Sequence, residues 1–132
     1  IIVVSEACPL WVPLIENNEH NSEGADYFVQ KNLSNLLAAD NQIDTLMLGC
    51  THYPLLQNKI EQHLPPNIQV VSQGNLVAAS LHDYIARHPE MDDKCTKNGI
   101  VKYFTTESVE KFSTSASIFL NEEIIAEPVD LD

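Results

Sequence analysis

Apolar residues follow two alternating rhythms along the chain. Short aliphatic runs stand at Ile1-Ile2-Val3-Val4, Ile43-Asp44-Thr45-Leu46-Met47-Leu48, Ile68-Gln69-Val70-Val71 and residues 100–105. Each predicts a buried strand. Between them the apolar spacing turns helical. Phe28, Val29, Leu33, Leu36 and Leu37 share one face of a helix expected over residues 25–39, opened by Ser22 or Glu23. A second helix is expected from Pro54 to Leu64, where Pro65-Pro66 stops it. A third spans residues 75–87, with Leu76, Val77, Ala79, Ser80, Leu81, Tyr84 and Ile85 as its apolar face, and a fourth covers residues 107–120. Residues 5–21, with Pro9, Pro13 and a polar run, read as loop, and residues 88–99 as a polar surface loop. Val129-Asp130-Leu131 predicts a last short strand. Alternation of this kind is the mark of an α/β fold, a parallel sheet flanked by helices.

The chemistry gathers at Gly49-Cys50-Thr51-His52-Tyr53-Pro54. This stretch leaves the expected strand 43–48 and enters the expected helix at Pro54. The carboxyl end of a strand is where open α/β sheets bind ligands. A helix N-terminus there would stabilise a thiolate on Cys50. Thr51 can cap the helix or offer its hydroxyl to a ligand. His52 lies two residues from the sulfur and can move a proton at neutral pH. On residue grounds alone, Cys50 is equally well a small buried hydrophobe and His52 a packing residue.

Composition narrows the partners. The chain has 132 residues, enough for one modest domain, and 7 Lys and Arg against 19 Asp and Glu give a net charge of −12. That balance argues against nucleic acid and against an anionic membrane surface. An anionic small substrate needs local donors such as hydroxyls and backbone amides. Cys8, Cys50 and Cys95 are too few and too scattered for a disulfide framework, and they fit a reducing, cytoplasmic compartment. No signal peptide and no bilayer-length apolar run is visible. Ile1 opens the sequence in what reads as mid-strand, so a piece of a longer chain is expected.

Two further motifs add to this. Ala7-Cys8-Pro9-Leu10-Trp11-Val12-Pro13-Leu14-Ile15-Glu16 resembles the ACPLFVPLVE stretch of glutamate racemases, in the aspartate/glutamate racemase superfamily. Leu48-Gly49-Cys50-Thr51-His52-Tyr53-Pro54-Leu55-Leu56 resembles their LGCTHFPLL stretch. Weaker echoes are Val71-Ser72-Gln73-Gly74, where the family has a hydrophobe and Asp-Ser-Gly, and Tyr103-Phe104-Thr105-Thr106, similar to its FYTT segment. Together they cover nearly the whole chain in the family's order.

The resemblance implies racemisation of L- and D-glutamate without a cofactor, to supply D-glutamate for peptidoglycan. No motif here offers a cofactor's electron sink, so a positioned base and an opposing acid must do the work. The implied fold has two α/β lobes. Residues 1–68 would be the later part of the second lobe, and residues 69–132 would close the first. Two cysteines, one per lobe, would face the substrate from opposite sides. Cys50 matches the second, acting on the L-enantiomer's face. The first belongs to an upstream segment with Asp-Ser-Gly and Cys-Asn-Thr motifs that these residues do not contain, so the chain alone is expected to be inactive. His52 matches the acid/base partner of that second thiol, and Glu16 an acidic site residue near it. Thr51, with Cys50, would contact substrate. By the plainer reading Glu16 is the first solvated residue after a buried stretch.

Cys8 is expected to be structural and Cys95 exposed; no metal is expected, since Cys8, Cys50 and His52 match no zinc spacing. Unpaired lobe edges would favour self-association, as in a homodimer. Two other readings stay open: a non-catalytic α/β module binding a small acid or a partner, and a racemase of a related amino acid such as aspartate.

Overall fold

A computed structural model describes residues 1–131. By their contacts the residues divide into two compact units, Ile1–Tyr84 and the remainder from Ile85. Each contains one parallel pair of strands with helix between them, the α/β pattern expected. Among the described residues no helix is long and apolar enough to cross a membrane.

In the first unit, β1 (Thr45–Met47) pairs with β2 (Gln69–Val71), Leu46 opposite Val70. Two flanking bonds extend the ladder: Leu48 N–H donates to Val71 O at 3.0 Å, and Gln69 N–H to Asp44 O at 2.9 Å. The expected lobe boundary at residue 68 thus falls one residue before a strand that pairs with β1. The connection between the strands begins with a 3₁₀ turn, Tyr53–Leu56, and continues as α3, Gln57–His63. The expected continuous helix from Pro54 is therefore a tighter turn joined to a seven-residue helix. Pro54 is tolerated in that first turn because the N–H it lacks would have had no partner there.

Helix α2 (Glu23–Ala39) supplies more of the core than any other element. The Ser22 hydroxyl accepts from Ala25 N–H at 3.1 Å and caps it, as expected. Ala25, Val29, Leu33 and Leu36 form its buried stripe; Phe28 and Leu37 are half-buried at its margin. Ile60 and Leu56 pack into the same core, together with Leu48 and, from α1 (Trp11–Glu16), Trp11 and Ile15. The side chains of Asp26 and His63 meet at 3.0 Å, with Lys59 at 3.5 Å from the same oxygen, and tie α2 to α3 at the surface.

Helix α1 lies where a loop was expected. Pro13 sits within its first turn, so it breaks no helical bond. Asn18, in the left-handed region at φ 59°, ends it. Residues 1–4 form no strand, and Ile1, Ile2 and Val3 are exposed. β-branched residues make a strand only against neighbours that pair with them.

Helix α4 (Gln73–Arg87) has the expected apolar stripe, but none of its residues is buried, and Leu76 and Val77 are 59% and 61% exposed. The amphipathic pattern specified the helix but not the burial of its stripe.

In the second unit, the expected loop contains one turn of helix, α5 (Pro89–Asp92). β3 (Tyr103–Thr105) pairs with β4 (Ala126–Pro128), which replaces the strand expected at residues 129–131. Pro128 is accepted on this short edge, where one missing donor costs little. α6 (Val109–Leu120) begins after Ser108, whose hydroxyl accepts from Lys111 N–H at 3.3 Å. Ser113 and Ser117, one turn apart, accept from the N–H groups of Ala126 and Ile124 and stitch the returning chain to the helix.

Candidate active site

Leu48 is buried after β1, and the backbone then surfaces at Gly49 to form the Cys50–His52 turn. Tyr53 N–H donates to Cys50 O at 3.2 Å, and Leu55 N–H to His52 O at 3.0 Å, folding the motif tightly on itself. Cys50 and His52 come out half-buried and Thr51 exposed.

His52 stands between two other candidate residues. Its Nδ1 is 4.0 Å from Cys50 Sγ, and its Nε2 is 3.3 Å from Glu16 Oε1. Glu16 arrives at the end of α1, so two stretches far apart in sequence converge on one imidazole. A carboxylate beside Nε2 favours the tautomer protonated there and leaves the Nδ1 lone pair towards the thiol. Thr51 Oγ1 lies 3.5 Å from the same Nδ1. The side chains of His52 and Glu16 are 35% and 60% exposed, so an entering ligand can reach them.

Two expectations need correction. Thr51 does not cap: the 3₁₀ turn is entered through His52, with no side-chain cap bond. Nor does a full helix begin at Pro54, just after Cys50. The chain continues as a 3₁₀ turn and then the short α3, so a helix dipole supplies little at the sulfur, and the imidazole is the nearer influence.

Cys8 belongs to the support of this site. Its Sγ is 3.7 Å from Glu6 O, and burial, reinforced by the Glu6 charge, pushes its thiol up to about 11. Such a thiol stays protonated and unreactive at neutral pH. Cys95 is exposed in the second unit. Tyr53 was not singled out from the sequence, yet it joins the parts. Its ring meets Trp11 edge-on at 4.8 Å, and its hydroxyl donates to Cys8 O at 3.5 Å. Burial raises its phenol above the ordinary value, helped by the nearby sulfurs of Cys8 and Cys50. The one signal for it in the sequence was its place inside the Gly-Cys-Thr-His-Tyr-Pro motif.

No protein-family model matches the chain. Individual proteins do. Glutamate racemase of Lactiplantibacillus plantarum is 37% identical over 133 residues, covering 98% of this chain and 47% of that protein. Glutamate racemase of Streptococcus equi is 35% identical over 132 residues, covering 98% and 48%. Among solved structures, a Bacillus anthracis glutamate racemase isoform superposes with a TM-score of 0.83 at 30% identity, covering 99% of this chain and 48% of that one. Glutamate racemase of Francisella tularensis, solved in complex with D-glutamate, gives a TM-score of 0.83 at 27% identity, covering 100% and 48%. In sequence and in its α/β fold, the chain is a homologue of the glutamate racemases along nearly its whole length, and it spans about half of theirs.

Proposed function

We propose that this chain is the C-terminal portion of an enzyme that racemises glutamate without a cofactor, with Cys50 handling the proton on one face of the substrate. The observation that carries the proposal is the line Cys50 Sγ, His52, Glu16, at 4.0 and 3.3 Å, on a homologue of glutamate racemases. In the forward step the Cys50 thiolate takes the α-hydrogen. The C–H bond breaks, an S–H bond forms, and the electron pair passes into the substrate carboxylate. A proton is then returned to the opposite face by a second thiol. Cys8, held protonated by its burial, lacks the thiolate form that the reverse reaction asks of that thiol. His52 passes the Cys50 proton to and from solvent, and Glu16 orients the imidazole. Thr51 and the exposed backbone amides around Gly49 offer local donors to an anionic substrate that the overall charge of −12 repels. In this reading D-glutamate is the product used for peptidoglycan, inside the cytoplasm.

The test is racemisation of each glutamate enantiomer by the full-length gene product, followed by circular dichroism. Cys50→Ala is expected to lose at least about 100-fold in kcat, the lower range for a positioned acid/base group. A Cys50→Ala enzyme that keeps its rate refutes the role of the thiol. Glutamate binding with no racemisation would point to a small-acid-binding module, and a faster rate on aspartate to a related racemase.

A further inference from the structure

Asn32 lies in the middle of α2, away from the motifs above, and its one carboxamide makes three bonds. Its Nδ2 donates to Glu6 Oε1 at 2.8 Å and to Ala7 O at 3.3 Å, while its Oδ1 accepts from Trp11 Nε1 at 3.1 Å. Asn35, one turn further along α2, donates to the same Glu6 oxygen at 3.1 Å. These bonds, that from Asn32 first, hold the Glu6 carboxyl below its ordinary range. The strap of residues 6–11 is thereby fastened to a long, well-packed helix.

The strap leads directly into the site. Trp11, only 3% exposed, opens α1 and packs on Tyr53, the neighbour of His52. Glu16 closes α1 against His52. A helix of six residues does not hold itself in water. Its placement depends on what grips its ends.

We propose that Asn32 is a positioning residue: through Trp11 and the 6–11 strap it sets α1 so that Glu16 meets His52, and so tunes Cys50. This rests on the reading of Cys50 and His52 given above. Only an amide fits. Aspartate would set a second carboxylate against Glu6, and leucine would orphan both the indole N–H and the Ala7 carbonyl.

The experiment uses the full-length gene product with Asn32→Ala, Trp11→Phe, Glu16→Gln, and the double variant Asn32→Ala/Glu16→Gln. Two quantities are read: kcat and KM, and the alkylation rate of Cys50 relative to Cys95 at neutral pH, resolved by peptide mass spectrometry. Asn32→Ala removes all three carboxamide bonds, and by loosening the one contact of Glu16 with His52 it is expected to lower kcat about fivefold, with KM little changed. The double variant should be no slower than Glu16→Gln alone, since both break one linkage. Cys50 alkylation should slow by a similar factor in each. Trp11→Phe, which keeps an aromatic ring and removes the indole N–H donor, carries the test if Asn32→Ala does not fold. An unchanged alkylation ratio in a folded variant overturns the proposal, as does a double variant whose losses multiply. Because alkylation needs no turnover, a wild-type protein that does not racemise sinks the reading of function while leaving this test intact.

Discussion

Ile60→Ala gives a sharp test of where the first unit keeps its stability. Ile60 is fully buried at 0% exposure, on the face of α3 that meets α2. The substitution removes three carbons, at roughly 0.8 kcal/mol each. Helix α3 packs on α2 and on the preceding 3₁₀ turn, where Val29 and Leu56 are themselves fully buried, so the core cannot collapse freely into the space. A residual cavity adds to the loss, for a total of about 3 kcal/mol. The chain has a single tryptophan, Trp11, and it is 3% exposed in the same unit, so its fluorescence reports this core. With a denaturant slope of about 1 kcal/mol per molar, the urea midpoint should fall by about 3 M, or the variant should be unfolded without urea. Ile60→Val should cost about 1 kcal/mol and stay measurable. The control is Leu76→Ala on α4, a residue 59% exposed, expected within about 0.5 kcal/mol of the parent. A midpoint shift under about 0.5 M for Ile60→Ala, or equal shifts for Ile60→Ala and Leu76→Ala, would refute the assignment of the core to the α2–α3 face.

Three further outcomes are expected. Ser22→Ala removes the α2 cap and should cost about 1 kcal/mol in the same titration, with Ser22→Gly milder. The hydrogen bond from His63, with help from Lys59, holds Asp26 below its ordinary 3.8, so this contribution is intact above pH 3.8 and fades as acid protonates the folded carboxyl. Asp26→Asn should therefore flatten the acid limb of a stability–pH curve, and an unaltered limb would remove Asp26 from the account. Cys8 runs the other way. Its thiol rises from 9.0 to about 11 in the fold, so stability is full below pH 9.0 and falls as pH climbs towards about 11. Discounted for its partial exposure, the loss is about 1 kcal/mol. Cys8→Ala should abolish it, and mildly alkaline alkylation should mark Cys95 well before Cys8.

Local features were the legible ones. The α2 stripe repeats over four turns and carries its own cap signal at Ser22, so the helix could be read to within two residues. Cys50 and His52 lie two residues apart, and their meeting needs only a tight turn. The approach of Glu16 to His52 is different: it depends on how α1 packs, and it was expected only from a resemblance to known racemases. Pro9, Pro13 and the polar run masked α1 altogether, because a helix this short shows less than two periods of its pattern. Nothing in the sequence marked Asn32, since its three partners come from residues distant in sequence. The stripe on α4 was visible as a pattern, but burial needs a partner, which no periodicity encodes.

The residues that converge on His52, and the network behind them, all fall within the first unit, Ile1–Tyr84. A ribosome delivers this stretch in one continuous run, with β2 closing the sheet soon after the Cys50 motif has emerged. Domains tend to fold as units during synthesis. The Cys50 thiol and the His52 imidazole can thus be brought together while the second unit is still being made. A cluster of this kind travels as one contiguous inheritance, open to exchange or recombination without separating Cys50 from His52 and Glu16.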